Sequence, residues 1–152
     1  MASFSMTRST TVGASPERVH PLLDDFREWH KWSPWEGVDP DLRRTYTGPE
    51  RGVGSHYAWS GNRKAGEGTM EITASTPREV VVDLHFLKPF KATNVTRFDL
   101  TPVAGDGTRV EWTMTGERNP VMSLMGRLFF DKPIGKDFDR GLAALKSAAE
   151  RP

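Results

Sequence analysis

Trp29, Trp32 and Trp35 recur at every third residue, and Tyr57 and Trp59 stand two apart in a stretch of alternating character. Large rings with one polar edge suit the mouth of an apolar cavity, where they meet ligand and water together. The same three tryptophans equally suit a helix-to-strand junction filled as ordinary core, with Ser33-Pro34 turning the chain. Alternation puts Tyr57 and Trp59 on one side of a strand. If that side is the inner one, the Tyr57 hydroxyl either orients a ligand or serves as a satisfied structural group.

Other chemistries find little support. His20, His30, His56 and His85 fall on different elements, without H-x-x-x-H or H-x-E spacing, and the chain has no Cys. Metal ligation is therefore not expected, and no cofactor is implied. No G-x-S-x-G elbow presents a nucleophilic serine. Gly48, Gly52 and Gly54 lack phosphate-loop spacing, and no Gly-Lys-Ser/Thr follows. Glu117-Arg118 reads either as a polar pair at a cavity entrance or as a solvated surface pair of little energetic weight.

The elements that must position the rings are legible in the periodicity. Ser15-Pro16-Glu17 predicts a helix start, with Ser15 accepting from an orphan amide and Val19, Leu22, Leu23 and Phe26 on the buried face. Pro21 predicts a bend in that helix. From about Leu42 the period changes to two, giving strands over 4–13, 42–47, 55–60, 68–75, 79–87, 93–101 and 108–116. Turn residues separate them: Gly48-Pro49, Gly61-Asn62, Thr76-Pro77, Lys88-Pro89 and Gly105-Asp106-Gly107.

One phase of these strands is apolar: Met70 and Ile72; Val80, Val82, Leu84 and Phe86; Phe98 and Leu100; Val110, Trp112 and Met114. The other carries Glu71, Asp83, His85, Arg97, Asp99, Arg109, Glu111 and Thr113. Such a sheet exposes one face and needs helices over the other. After Asn119-Pro120, Val121, Met122, Met125, Leu128 and Phe129 predict a short helix. A break at Pro133 and Gly135 then leads into a long helix from about Ile134 to Glu150, with Ile134, Phe138, Leu142, Leu145 and Ala149 in one stripe. Met114, Met122 and Met125, with Phe129 and Phe138, suit either a surface that adapts to varied apolar ligands or plain core.

Composition narrows the function classes. The 152 residues suit one domain, 1–152. The 21 basic and 20 acidic side chains are interspersed, so no single-sign surface is offered to nucleic acid. No apolar run reaches the ~20 residues that span a bilayer, and the first residues lack a secretory pattern. With no thiols, the expected location is cytoplasmic.

The stretch Asp25-Phe26-Arg27-Glu28-Trp29-His30-Lys31-Trp32-Ser33-Pro34-Trp35 resembles the end of the first helix in the START-like (SRPBCC) superfamily, in its polyketide cyclase/dehydrase and lipid-transport branch. Gly52-Val53-Gly54 leading into Tyr57-Ala58-Trp59-Ser60-Gly61-Asn62 is similar too, as are Gly66-Glu67-Gly68 and the closing Gly135-Lys136-Asp137-Phe138 with Gly141-Leu142 and Leu145-Lys146. The resemblance covers nearly the whole chain. It implies an α+β helix-grip fold: a curved antiparallel sheet of about seven strands around a long C-terminal helix, with a short helical segment after the first strand.

Together these readings predict a cavity between the sheet and the last helix. Its expected lining is Trp29, Trp32 and Trp35 at the mouth, and Tyr57 and Trp59 from one side of a strand. Met70, Leu84, Phe86, Phe98, Trp112 and Met114 come from the strands, and Met122, Met125, Phe129, Phe138 and Leu142 from the closing helices. The expected occupant is a small hydrophobic molecule: a lipid, an isoprenoid or a polyketide-like chain. An aromatase/cyclase or dehydrase of the lyase type, and a co-chaperone-like interaction module, are the alternatives the resemblance admits. Nothing in the residues assigns a catalytic group or an oligomeric state.

Overall fold

The computed structural model describes residues 2–33, 41–62, 66–88, 92–118 and 131–150. Strand β1 (Ala2–Val12) leads into helix α1 (Pro16–Leu23) and a 3₁₀ helix (Phe26–Lys31). Six strands follow: β2 (Arg43–Thr47), β3 (His56–Ser60), β4 (Glu67–Thr76), β5 (Glu79–Lys88), β6 (Ala92–Val103) and β7 (Gly107–Arg118). Helix α2 (Asp131–Glu150) closes the chain. The seven strands form one antiparallel sheet in the order β1-β7-β6-β5-β4-β3-β2. This is the helix-grip arrangement.

The alternation of apolar and charged residues dictates which face is covered. Ile72, Val80, Val82, Phe98, Leu100, Val110 and Trp112 are buried on the inner face. On the outer face Arg97 pairs with Glu79 and with Asp99 at 3.3 Å, and Arg109 reaches Glu111 at 3.4 Å. Irregular register between Ile72 and Ala74, and between Glu67 and Gly68, marks two points where β4 and β5 slip against each other. Bulges of this kind bend a strand and re-aim its side chains.

Three local expectations are corrected. Helix α1 stops at Leu23, so Phe26 belongs to the 3₁₀ helix. The cause is local: Asp25 is extended, and its carboxylate accepts from the Arg27 amide at 3.0 Å, starting a new turn. The Ser15 side chain makes no cap bond; its backbone carbonyl accepts from Arg18 and Val19. The hydroxyl instead bonds Glu17, whose carboxylate is held below its ordinary range first by its own backbone amide and then by Ser15. Finally, α2 begins at Asp131 and runs through Pro133 and Gly135 without a break. Pro133 falls in the first turn, where an amide has no intrahelical acceptor to lose. Gly135 leaves room for Arg8 of β1, whose guanidinium would lie 2.5 Å from any added Cβ. The short helix expected over 121–129 lies outside the described residues.

The helices cover one end of the inner face completely. Phe138, Leu142, Leu145 and Ala149 of α2 are buried, together with Val12 of β1 and Val19 and Leu23 of α1. Phe138 stacks flat on Trp112, ring centroids 4.0 Å apart. The far end of α2 is tied back to the start of the chain, because the Gly13 amide donates to Glu150 Oε2 at 2.6 Å.

Candidate functional site

Register builds the site one cross-strand row at a time. Tyr46, Tyr57, Met70, Leu84, Asn94 and Gly116 are consecutive partners across β2, β3, β4, β5, β6 and β7. One step toward the sheet end, Trp59 pairs with Gly68, and Gly68 with Phe86. One step the other way, Val82, Thr96 and Met114 form the next row, with Ile72 and Met6 on its flanks. All three rows face the helices, as the packing of Tyr57 on Phe26 at 5.9 Å requires.

The rows differ in cover. Leu84, Asn94, Thr96 and Met114 are buried, whereas Tyr46, Tyr57, Trp59, Met70 and Phe86 are half-buried and pack on the edge of the core. Ring contacts knit this half-buried floor: Tyr46 to Tyr57 at 5.2 Å, Tyr57 to Trp59 at 6.1 Å, and Trp59 to Phe86 at 6.0 Å. Arg27 lies 4.7 Å above the Tyr46 ring in a cation-π contact. The lack of a side chain at Gly68 sets the floor's height. An added Cβ there would sit 2.5 Å from the Trp59 ring and 2.5 Å from the His85 carbonyl. Trp59 lies across the glycine.

Polar groups on this face are few. Asn94 is 7% exposed and sits between Leu84 and Gly116 in register. Among the described residues its side chain makes no hydrogen bond, and neither does that of Thr96. Buried amides and hydroxyls normally find a partner, so this pair presents unused bonding capacity beside an apolar floor. The described inner-phase residues of β2 to β6 include neither a carboxylate nor an imidazole.

The expected lining residues therefore separate into three groups. Tyr57, Trp59, Met70 and Phe86 form the half-buried floor, with Leu84 and Met114 buried at its margin. Phe98, Trp112, Phe138 and Leu142 lie in the closed core, and so do Trp29 and Trp32. The two indole N–H groups donate to the last carbonyls of α1, Trp29 to Leu23 at 2.9 Å and Trp32 to Leu22 at 2.7 Å. They satisfy the helix end. Trp35, Met122, Met125 and Phe129 lie outside the described residues, as does the side-chain pair Glu117-Arg118. Asn94 was not among the expected lining, although it shares the phase of Thr96 and Phe98.

The family described as polyketide cyclase/dehydrase and lipid transport matches residues 3–150. No protein of curated function matches the chain. Among solved structures, the chain is similar to the Aha1 dimer from Colwellia psychrerythraea, at 20% identity over 97% of this chain and 96% of that one, with TM-score 0.69. Mll3558 from Rhizobium loti is 23% identical over 93% and 96% of the two chains, with TM-score 0.67. CV1439 from Chromobacterium violaceum is 13% identical over 97% and 99%, with TM-score 0.68. At these identities the structures speak for the fold alone.

Proposed function

This chain belongs to the polyketide cyclase/dehydrase and lipid transport family, and from that membership and the half-covered aromatic floor we propose that it binds a small hydrophobic molecule. The candidate occupants are a lipid, an isoprenoid or a polyketide-like chain. The observation that carries the reading is the graded cover of one continuous apolar face: Tyr57, Trp59, Met70 and Phe86 remain half-buried while Leu84, Asn94, Thr96 and Met114 farther along the same face are closed. A ligand laid on this floor gains about 25 cal/mol for each Å² of apolar surface withdrawn from water.

Asn94 and Thr96 would meet the polar end of such a ligand. An amide and a hydroxyl can donate or accept without titrating near neutral pH, which supports holding a carbonyl or hydroxyl in place rather than moving its protons. The test is displacement of a fluorescent fatty acid by dodecanol, farnesol and a linear polyketide analogue. Saturable one-site displacement, weakened by about tenfold in Trp59→Ala, is expected. Failure of all three to compete, with no saturable binding of the probe, would remove the reading.

A further inference from the structure

A second constellation lies away from the floor, in a groove of ≈ 340 Å³ between α1 and the turn joining β4 to β5. His20 and Ser75, the latter near the end of β4, meet at its wall, with Asp24, one helical turn on from His20, buried behind them. Ser75 Oγ is 3.1 Å from His20 Nε2, and His20 Nδ1 is 3.5 Å from Asp24 Oδ2. We propose that Ser75, His20 and Asp24 form an acyl-transfer triad whose substrate is a small carboxylic ester.

The order of contacts assigns the roles. A carboxylate oxygen only accepts, so the proposed triad takes the His20 tautomer protonated on Nδ1, the nitrogen facing Asp24 across a 3.5 Å ion-pair contact, with Nε2 free to accept from the Ser75 hydroxyl. This is nucleophile, base and orienting group in sequence, with Ser75 and His20 at hydrogen-bond distance and His20 and Asp24 in a looser ion-pair contact of the kind that tightens when substrate binds. Asp24 is itself fixed, 6% exposed by side chain and gripped by Arg51 through Nη2 to Oδ1 at 3.0 Å and Nε to Oδ2 at 3.3 Å. The His20 side chain is 17% exposed, so its motion is restrained as well.

Ser75 reaches the groove because of the β4 irregularity. Ile72 pairs with Val82, but after the slip Ser75 pairs with Val80, so both face the helix side. Strict alternation from Ile72 would have turned Ser75 outward. Ser75, His20 and Arg51 all line the groove, with Pro21 and Pro77 as its apolar walls.

In the reaction, Ser75 Oγ bonds to the ester carbonyl carbon while its proton passes to His20 Nε2. The resulting oxyanion develops in a groove that also holds the Arg51 cation. Collapse breaks the bond from the carbonyl carbon to the alkoxy oxygen, and the leaving alcohol takes the proton from His20. Water, deprotonated by His20, then attacks the acyl carbon; the bond from that carbon to Ser75 Oγ breaks, Oγ takes the proton back from His20, and the carboxylic acid is released.

The test is labelling of the full chain by a fluorophosphonate probe, located by peptide mass spectrometry, alongside hydrolysis of p-nitrophenyl acetate. The expected result is a single label on Ser75 that is lost in Ser75→Ala and slowed about 100-fold in His20→Gln. Ester hydrolysis should fall with the label. An unlabelled Ser75 in the wild type, or hydrolysis unchanged in a folded Ser75→Ala, would overturn the proposal; the latter would show a bare imidazole acting alone. The wild-type and Ser75→Ala measurements decide the question even if His20→Gln fails to fold.

Discussion

Trp112 and Trp59 stand on the same face of the same sheet, yet they have opposite surroundings. Trp112 is 1% exposed, pressed flat beneath Phe138 of α2 and edged by Trp32 of the 3₁₀ helix at 5.5 Å. Trp59 lies over Gly68 beside Tyr57 and Phe86, and remains half-buried. One ring is core and the other is floor. The difference does not arise from residue type or strand phase, which the two share. It arises from which part of the face the helices reach, and it predicts that the two regions answer mutation in different currencies: stability at the closed end, ligand affinity at the open one.

The largest effect should come from Phe138→Ala. Removing a fully buried ring from the closed end is expected to cost about 3–5 kcal/mol, read as a lower urea midpoint at constant slope. Trp59→Ala should cost much less in the same measurement while weakening ligand binding. Equal losses of stability at the two positions would erase the distinction between the regions.

Gly68→Ala comes next. The new methyl meets the Trp59 ring and the His85 carbonyl, each at 2.5 Å. The ring must move, and overpacking is expected to cost about 1–3 kcal/mol. Affinity for an apolar ligand should fall with it, whereas a Gly68→Ala protein that binds normally would show that the ring's position on the floor is immaterial.

Asn94→Leu sharpens the comparison from the other side. The amide has no side-chain partner among the described residues, so its replacement should leave stability near wild type. Preference between dodecanol and dodecane should shift toward the hydrocarbon by about tenfold, the worth of one hydrogen bond. An unchanged preference would take Asn94 out of the site.

The smallest effect is electrostatic and belongs to the closed end. Lys146 and the Gly13 amide hold the Glu150 carboxylate below its ordinary range, the lysine first. A group whose folded value is depressed contributes stability at neutral pH and loses it as pH falls from the unfolded value through the folded one. Carboxyl-detected NMR titration should show Glu150 titrating at lower pH than an unperturbed glutamate, and Lys146→Gln should move it back up. Ligand affinity should not follow that change.

Most of the architecture could be read from the chain. The alternation of Val80, Val82 and Leu84, and of Phe98 and Leu100, assigned the inner face because period two permits only one choice. Pro133 misled because a proline breaks a helix interior but not a first turn, and the start of α2 is not marked by periodicity. Phe26 misled because its spacing fits a helix that Asp25 restarts. The site was harder to read. Whether a ring is core or floor depends on how a distant helix approaches, so Trp29 and Trp32 look the same as Trp59 in sequence. The meeting of Ser75 with His20 depends on a slip in register that alternation conceals.

On the proposed function, an apolar ligand binds at the half-buried floor rather than in the closed core or the outer groove. Two-dimensional ¹H–¹⁵N NMR during titration with dodecanoic acid tests it most directly. Saturable shifts are expected at Tyr57, Met70 and Asn94 and at the Trp59 indole N–H, with Val12 and Leu145 unmoved. Absence of saturable shifts, or shifts confined to His20 and Ser75, would contradict it.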